Sequence, residues 1–94
     1  MAELLNEELL ESIKTGLNIT GNFHDETLKI YISEVKEFMK SGGVSEEMIN
    51  DKASTGCILR GVADLWKSGG DNVNLSKYFM QRLNQLALGE SKNE

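Results

Sequence analysis

The chain has no proline, one cysteine and one histidine in 94 residues, and none of its apolar runs approaches the roughly 20 residues that cross a bilayer. Without proline, long helices can proceed with no built-in break. A lone Cys57 excludes an internal disulfide and a thiolate metal cage, the usual staples of small secreted domains, which points to an intracellular origin. The stretch Met1-Ala2-Glu3-Leu4-Leu5-Asn6-Glu7-Glu8 is acidic where a signal peptide would be basic. Basic residues are scarce as well: ten Lys and Arg face fifteen Asp and Glu, a net charge of −5, which disfavours free-standing binding to nucleic acid or an anionic membrane. What remains is enough for one folded domain, because 39% apolar and 27% charged residues match neither a disordered chain nor a membrane span. The sequons at Asn18 and Asn74 read as chance or local capping.

The apolar residues recur with helical spacing. Leu5, Leu9, Ile13 and Leu17 step by four, which predicts a first helix over about 4–18 with Glu3, Glu7 and Glu11 on its back. Gly16 in its stripe reads as a fraying end rather than a close approach. After turn residues 20–25, Asp25 is a natural N-cap for a second helix running to about Lys40 and stopped by Gly42-Gly43. A 100° wheel places Leu28, Ile32, Val35 and Met39 on its core face, with Tyr31 and Phe38 at the margin. Ser45 caps a short segment from Glu46 to about Asp51, and a third main helix follows over about 56–67 with Ile58, Leu59, Val62, Leu65 and Trp66 on one arc. Ser68-Gly69-Gly70-Asp71-Asn72 is a loop, after which Ser76 caps a closing helix with Phe79, Leu83 and Leu86 inward and Met80 and Ala87 widening that face. The fold expected is all-α, a small bundle of about four main helices with one additional short helix, forming a single domain over 1–88. Residues 89–94 lack periodicity and read as a mobile C-terminal tail.

No constellation for chemistry emerges. His24 and Cys57 are far apart in sequence and belong to no nucleophile motif, so they read as a loop histidine and a small helix residue. Gly56 and Gly61 have the spacing of a phosphate-binding loop, but Val62-Ala63 replaces the Lys and Ser/Thr that such a loop requires. Asp71-Asn72-Val73-Asn74 lacks the alternating ligands and distant Glu of a calcium loop. No catalytic residue, cofactor or metal is therefore assigned.

Two surface features remain as binding signals, both on the second helix. Lys29, Lys36 and Lys40 fall within about 40° on the wheel and form a one-sided basic stripe, whose stems can cover the core edge or whose ammonium groups can meet phosphate. Ile30 projects from the opposite side among Glu26, Glu34 and Glu37, where a monomer gains nothing from isoleucine. Leu4 and Leu88 are similar outliers.

The order of elements resembles the small helical head-tail connector proteins of tailed bacteriophages, also called adaptor or head-completion proteins, over about Leu9 to Leu88. Its carriers are Leu9-Leu10-Glu11-Ser12-Ile13-Lys14-Thr15-Gly16-Leu17-Asn18-Ile19 before an acidic turn and His24-Asp25-Glu26-Thr27-Leu28-Lys29-Ile30-Tyr31-Ile32 opening the long helix. Gly61-Val62-Ala63-Asp64-Leu65-Trp66 and the closing Leu75-Ser76-Lys77-Tyr78-Phe79-Met80-Gln81-Arg82-Leu83 complete it. Two departures concern contacts: Ser76 stands where the closing helix of family members often begins with proline, and the link between the second and third main helices is short.

The resemblance implies a non-enzymatic virion protein at the head–tail interface, present in the host cytoplasm during assembly or encoded by a prophage. It implies a homo-oligomeric ring of about twelve or thirteen copies under the portal, which extends the channel for genomic DNA and offers a surface to tail-completion proteins. Ile30, Glu34, Gly69, Gly70 and Leu88 become candidate subunit or portal contacts, and Lys29, Lys36 and Lys40 a candidate channel-facing stripe. The alternative is a small helical regulatory protein that binds DNA or an effector through the second helix, a reading that the acidic charge opposes.

Overall fold

Every regular element among the described residues, 6–68 and 77–92 of the computed structural model, is helical. Helix α1 (Asn6–Leu17) leads through a turn to α2 (Asp25–Ser41). The short α3 (Glu46–Ile49) and a 3-10 turn (Lys52–Ser54) then precede α4 (Thr55–Ser68) and α5 (Lys77–Lys92). This is the all-α bundle of four main helices and one short one that the periodicity predicts. Leu4, the Gly69-Gly70 loop and the Ser76 cap lie outside the described residues.

Helix α4 occupies the middle and packs against α1, α2 and α5. Its Cys57, Ile58 and Val62 are fully buried, and Phe79 and Leu83 of α5 join Leu28, Val35 and Met39 of α2 around them. Each such aliphatic side chain contributes about 1.5 to 3 kcal/mol, far more than the helix propensity that Ile and Val give up. Gly61 sets the spacing at the centre: a Cβ there would lie 2.8 Å from both Val35 methyls and from the Phe79 ring. The backbone of α4 therefore approaches α2 and α5 as closely as a missing side chain permits.

The helix ends follow local chemistry. Asn18, at φ 61°, terminates α1 in a Schellman arrangement, its N–H donating to Thr15 O at 3.1 Å while the N–H of Ile19 donates to Lys14 O at 2.8 Å. The same arrangement closes α2 through Gly43, at φ 100°, with the Val44 N–H donating to Met39 O at 3.1 Å. Its neighbour Gly42 is small for another reason, since a Cβ there would fall 2.8 Å from a Leu83 methyl. Ser45 caps α3 by accepting from the Met48 N–H at 3.1 Å, as the sequence indicates.

Four local expectations are corrected. Gly16 is a close approach and not a fraying end, because a Cβ there would meet Leu59 of α4 at 2.6 Å. Asp25 is not the N-cap of α2: His24 holds that position without a side-chain capping bond, and the Asp25 carboxylate is drawn instead to Lys14 of α1. Met80 is exposed and does not widen the inner face of α5, whereas Ala87 packs against the core. Helix α5 continues to Lys92, past the expected end at Leu88, because Gly89 alone costs about 1 kcal/mol and no proline follows. Residues 93–94 of the expected tail lie outside the described residues.

Candidate protein-interaction surface

Helices α1 and α2 run from the turn around Gly21 and diverge enough to leave an open groove of about 810 Å³ between them. Leu9, Leu10 and Ile32 form its floor because they belong to the core stripes of their helices. Glu7 and Glu11 rise on the α1 wall, and Lys29, Ser33 and Lys36 on the α2 wall. At one end Lys14 of α1, only 7% exposed, reaches across to Asp25 of α2. The Asp25 Oδ1 sits 2.9 Å from the Lys14 Nζ, an ion contact off the angle of a hydrogen bond, and is buried without a hydrogen-bond partner. Glu11 approaches the same ammonium at 3.9 Å.

The basic stripe is divided by these surroundings. Lys29 holds Glu26 at 3.5 Å and Lys40 holds Glu46 at 3.9 Å, so two of its members already have carboxylates. Lys36 turns into the groove, where loss of hydration lowers its pKa from the ordinary lysine value. On the far side of α2, Ile30 is 58% exposed among the exposed Glu26, Glu34 and Glu37, as the wheel predicts. Leu88 on α5 is 60% exposed.

Sequence reasoning missed Phe23, the most exposed large apolar side chain among the described residues, at 89%. It sits at the tip of the α1–α2 turn, where neither helical nor strand periodicity reports orientation. Its ring meets His24 edge-on at 4.9 Å, and His24 in turn meets Trp66 of α4 edge-on at 5.0 Å. Such ring contacts contribute about 0.5 to 1.5 kcal/mol beyond burial, enough to orient the turn. The histidine is thus held edge-on between two aromatic rings.

Cys57 has a separate environment. Its thiol is fully buried and points to the Phe79 carbonyl, with Sγ to O 4.0 Å. Burial pushes its pKa up to about 11 against a weaker opposing pull from Arg82, so at neutral pH it remains a thiol rather than a nucleophilic thiolate. Among the described residues, no three His, Cys, Asp or Glu side chains gather to hold a metal ion, and no helix is long and apolar enough to cross a membrane. What the surface offers is exposed carbon flanked by charge, the chemistry of protein contact.

No curated protein and no solved structure matches the chain. Residues 7–88 match the family described as phage gp6-like head-tail connector protein, and this span includes α2, α3 and α4 and nearly all of α1. The chain belongs to the phage gp6-like head-tail connector family.

Proposed function

We propose that the protein is a ring-forming connector subunit that sits under the phage portal, extends the channel for genomic DNA and carries the attachment surface for tail-completion proteins. The family match over residues 7–88 carries this reading. Exposed apolar side chains support it physically, since Phe23, Ile30 and Leu88 leave carbon in water that neighbouring subunits, portal or tail would cover. Ile30, Glu34 and Leu88 are the proposed subunit or portal contacts, joined by Phe23, and Gly69 and Gly70, outside the described residues, are proposed with them from the sequence.

A net charge of −5 suits a conduit, because phosphate clamps strong enough to bind DNA would also hold it in place. The basic stripe fits protein contact better than a channel lining, because Lys29 and Lys40 already hold carboxylates and Lys36 lies in a groove floored with carbon. The protein acts at the head–tail interface of the virion after synthesis in the host cytoplasm.

The test mixes the purified chain with portal assemblies of the same phage and weighs the product by native mass spectrometry. A complex with about twelve or thirteen added copies is the expected result. Portals that gain none, or a dimer of this chain that shifts a DNA fragment, overturn the reading.

A further inference from the structure

We propose that neighbouring copies join head to tail by seating the Ile30 ridge of one subunit in the α1–α2 groove of the next, an inference that rests on the ring reading above. Along the α2 wall of the groove the two surfaces are complementary in charge, and each carries carbon between its charges. The ridge presents one apolar side chain, 58% exposed, between Glu26 and Glu34, with Glu37 beside them. The groove presents a carbon floor of Leu10 and Ile32 beneath the ammonium groups of Lys29 and Lys36.

The spacing agrees as well. Glu26 and Glu34 are eight residues apart, about 12 Å along a helix, and Lys29 and Lys36 are seven apart, about 10.5 Å. A helix laid in the groove therefore brings carboxylates to both lysines while Ile30 meets the floor between them. The Lys29–Glu26 contact inside one chain is exposed and long, so exchanging it for an intersubunit pair costs little. Lys14 of α1 is held by Asp25 of α2 at 2.9 Å and lies 3.9 Å from Glu11, so Glu7 and Glu11 on the α1 wall are the groups that oppose an acidic ridge, and the seam leans on the α2 wall.

Nucleic acid does not fit this role, because the ridge is acidic and the groove floor apolar. A second copy supplies carboxylates to the lysines of the α2 wall and carbon to the floor. Ridge and groove lie on different faces of α2, roughly 110° apart on the wheel, so the contact joins unlike surfaces and propagates from copy to copy. Closure of that propagation gives a ring.

Disulfide trapping tests the seam directly. The double variant Glu7→Cys with Ile30→Cys places one thiol on the groove rim and one on the ridge, while the buried native Cys57 stays out of exchange. Oxidation of the concentrated full chain should give a ladder of trimers and larger species on a non-reducing gel, and each single-cysteine variant should stop at dimers. A double variant that yields only monomer or dimer overturns the head-to-tail seam.

Charge exchange is the second arm. Glu26→Lys with Glu34→Lys, or Lys29→Glu with Lys36→Glu, should each weaken assembly at least tenfold, and an equimolar mixture of the two should restore it. Failure of the mixture to recover assembly also overturns the pairing. If the unmodified chain forms rings on portals while the ladder is absent, the seam is wrong and the ring reading stands. If rings and ladder are both absent, the ring reading falls with it.

Discussion

On its α4 side, helix α2 meets carbon closely: Val35 and Phe79 fill the space left by Gly61, and Leu83 rests on Gly42. On its α1 side it stands apart, facing a groove with a buried ion pair at one end. The first side is shape-specific and dry, so it supports the fold. The second leaves charge and carbon available at the surface, where a neighbouring molecule can use them. Separating the two tasks lets a domain of this size keep its stability, typically about 5 to 15 kcal/mol, away from the proposed contact surface.

Breaking the dry side should have the largest effect. Phe79→Ala empties the position between Gly61 and Phe38 and should cost about 3 to 5 kcal/mol, measured by urea unfolding followed by circular dichroism. A loss below about 1 kcal/mol would show that α5 contributes little to the core.

Alkaline pH sharpens the same contrast. Between pH 9.0 and about 11 the unfolded chain releases the Cys57 proton while the folded chain retains it, so folding stability falls as pH rises across that window. The full loss is about 3 kcal/mol, fully reached only above the folded value, with no contribution well below pH 9.0. Melting curves of the unmodified chain and of Cys57→Ala should diverge in slope over this range, and parallel curves would contradict the buried thiol.

The α1 side should yield a smaller effect. Lys14→Met strands the Asp25 carboxylate and should cost roughly 2 kcal/mol, less than a fully buried pair because Asp25 keeps 23% of its side chain exposed. Adding Asp25→Leu should recover most of the loss, which a double-mutant cycle measures as coupling energy.

Much of this arrangement is legible from spacing alone. The stripe Leu28-Ile32-Val35-Met39 places α2, and Gly42-Gly43 and Ser45 mark the following corner, because those signals act within a few residues of themselves. The exposed Ile30 is likewise readable, since a wheel reports which residues leave the core. What escapes is pairing across elements. Asp25 looks like a cap until Lys14 arrives from another helix, and Gly16 looks frayed until Leu59 lies over it. Phe23 belongs to no period, so its exposure follows only from the path of the turn. The groove depends on how far two helices diverge, a quantity that neither wheel contains. The family resemblance added what spacing could not, a role for a domain without assigned chemistry.

The position of the Lys14–Asp25 contact also has a mechanical meaning. It ties α1 to α2 at the turn end of the groove, while Asn6 and Lys36 line the other end. Between those two ends α1 is held by carbon, since Leu9 and Ile13 are buried and the helix packs on α4, and Gly16 lies directly against Leu59. The gauge of the groove is thus fixed by the packed interior along its length, and the ion pair only closes its turn end.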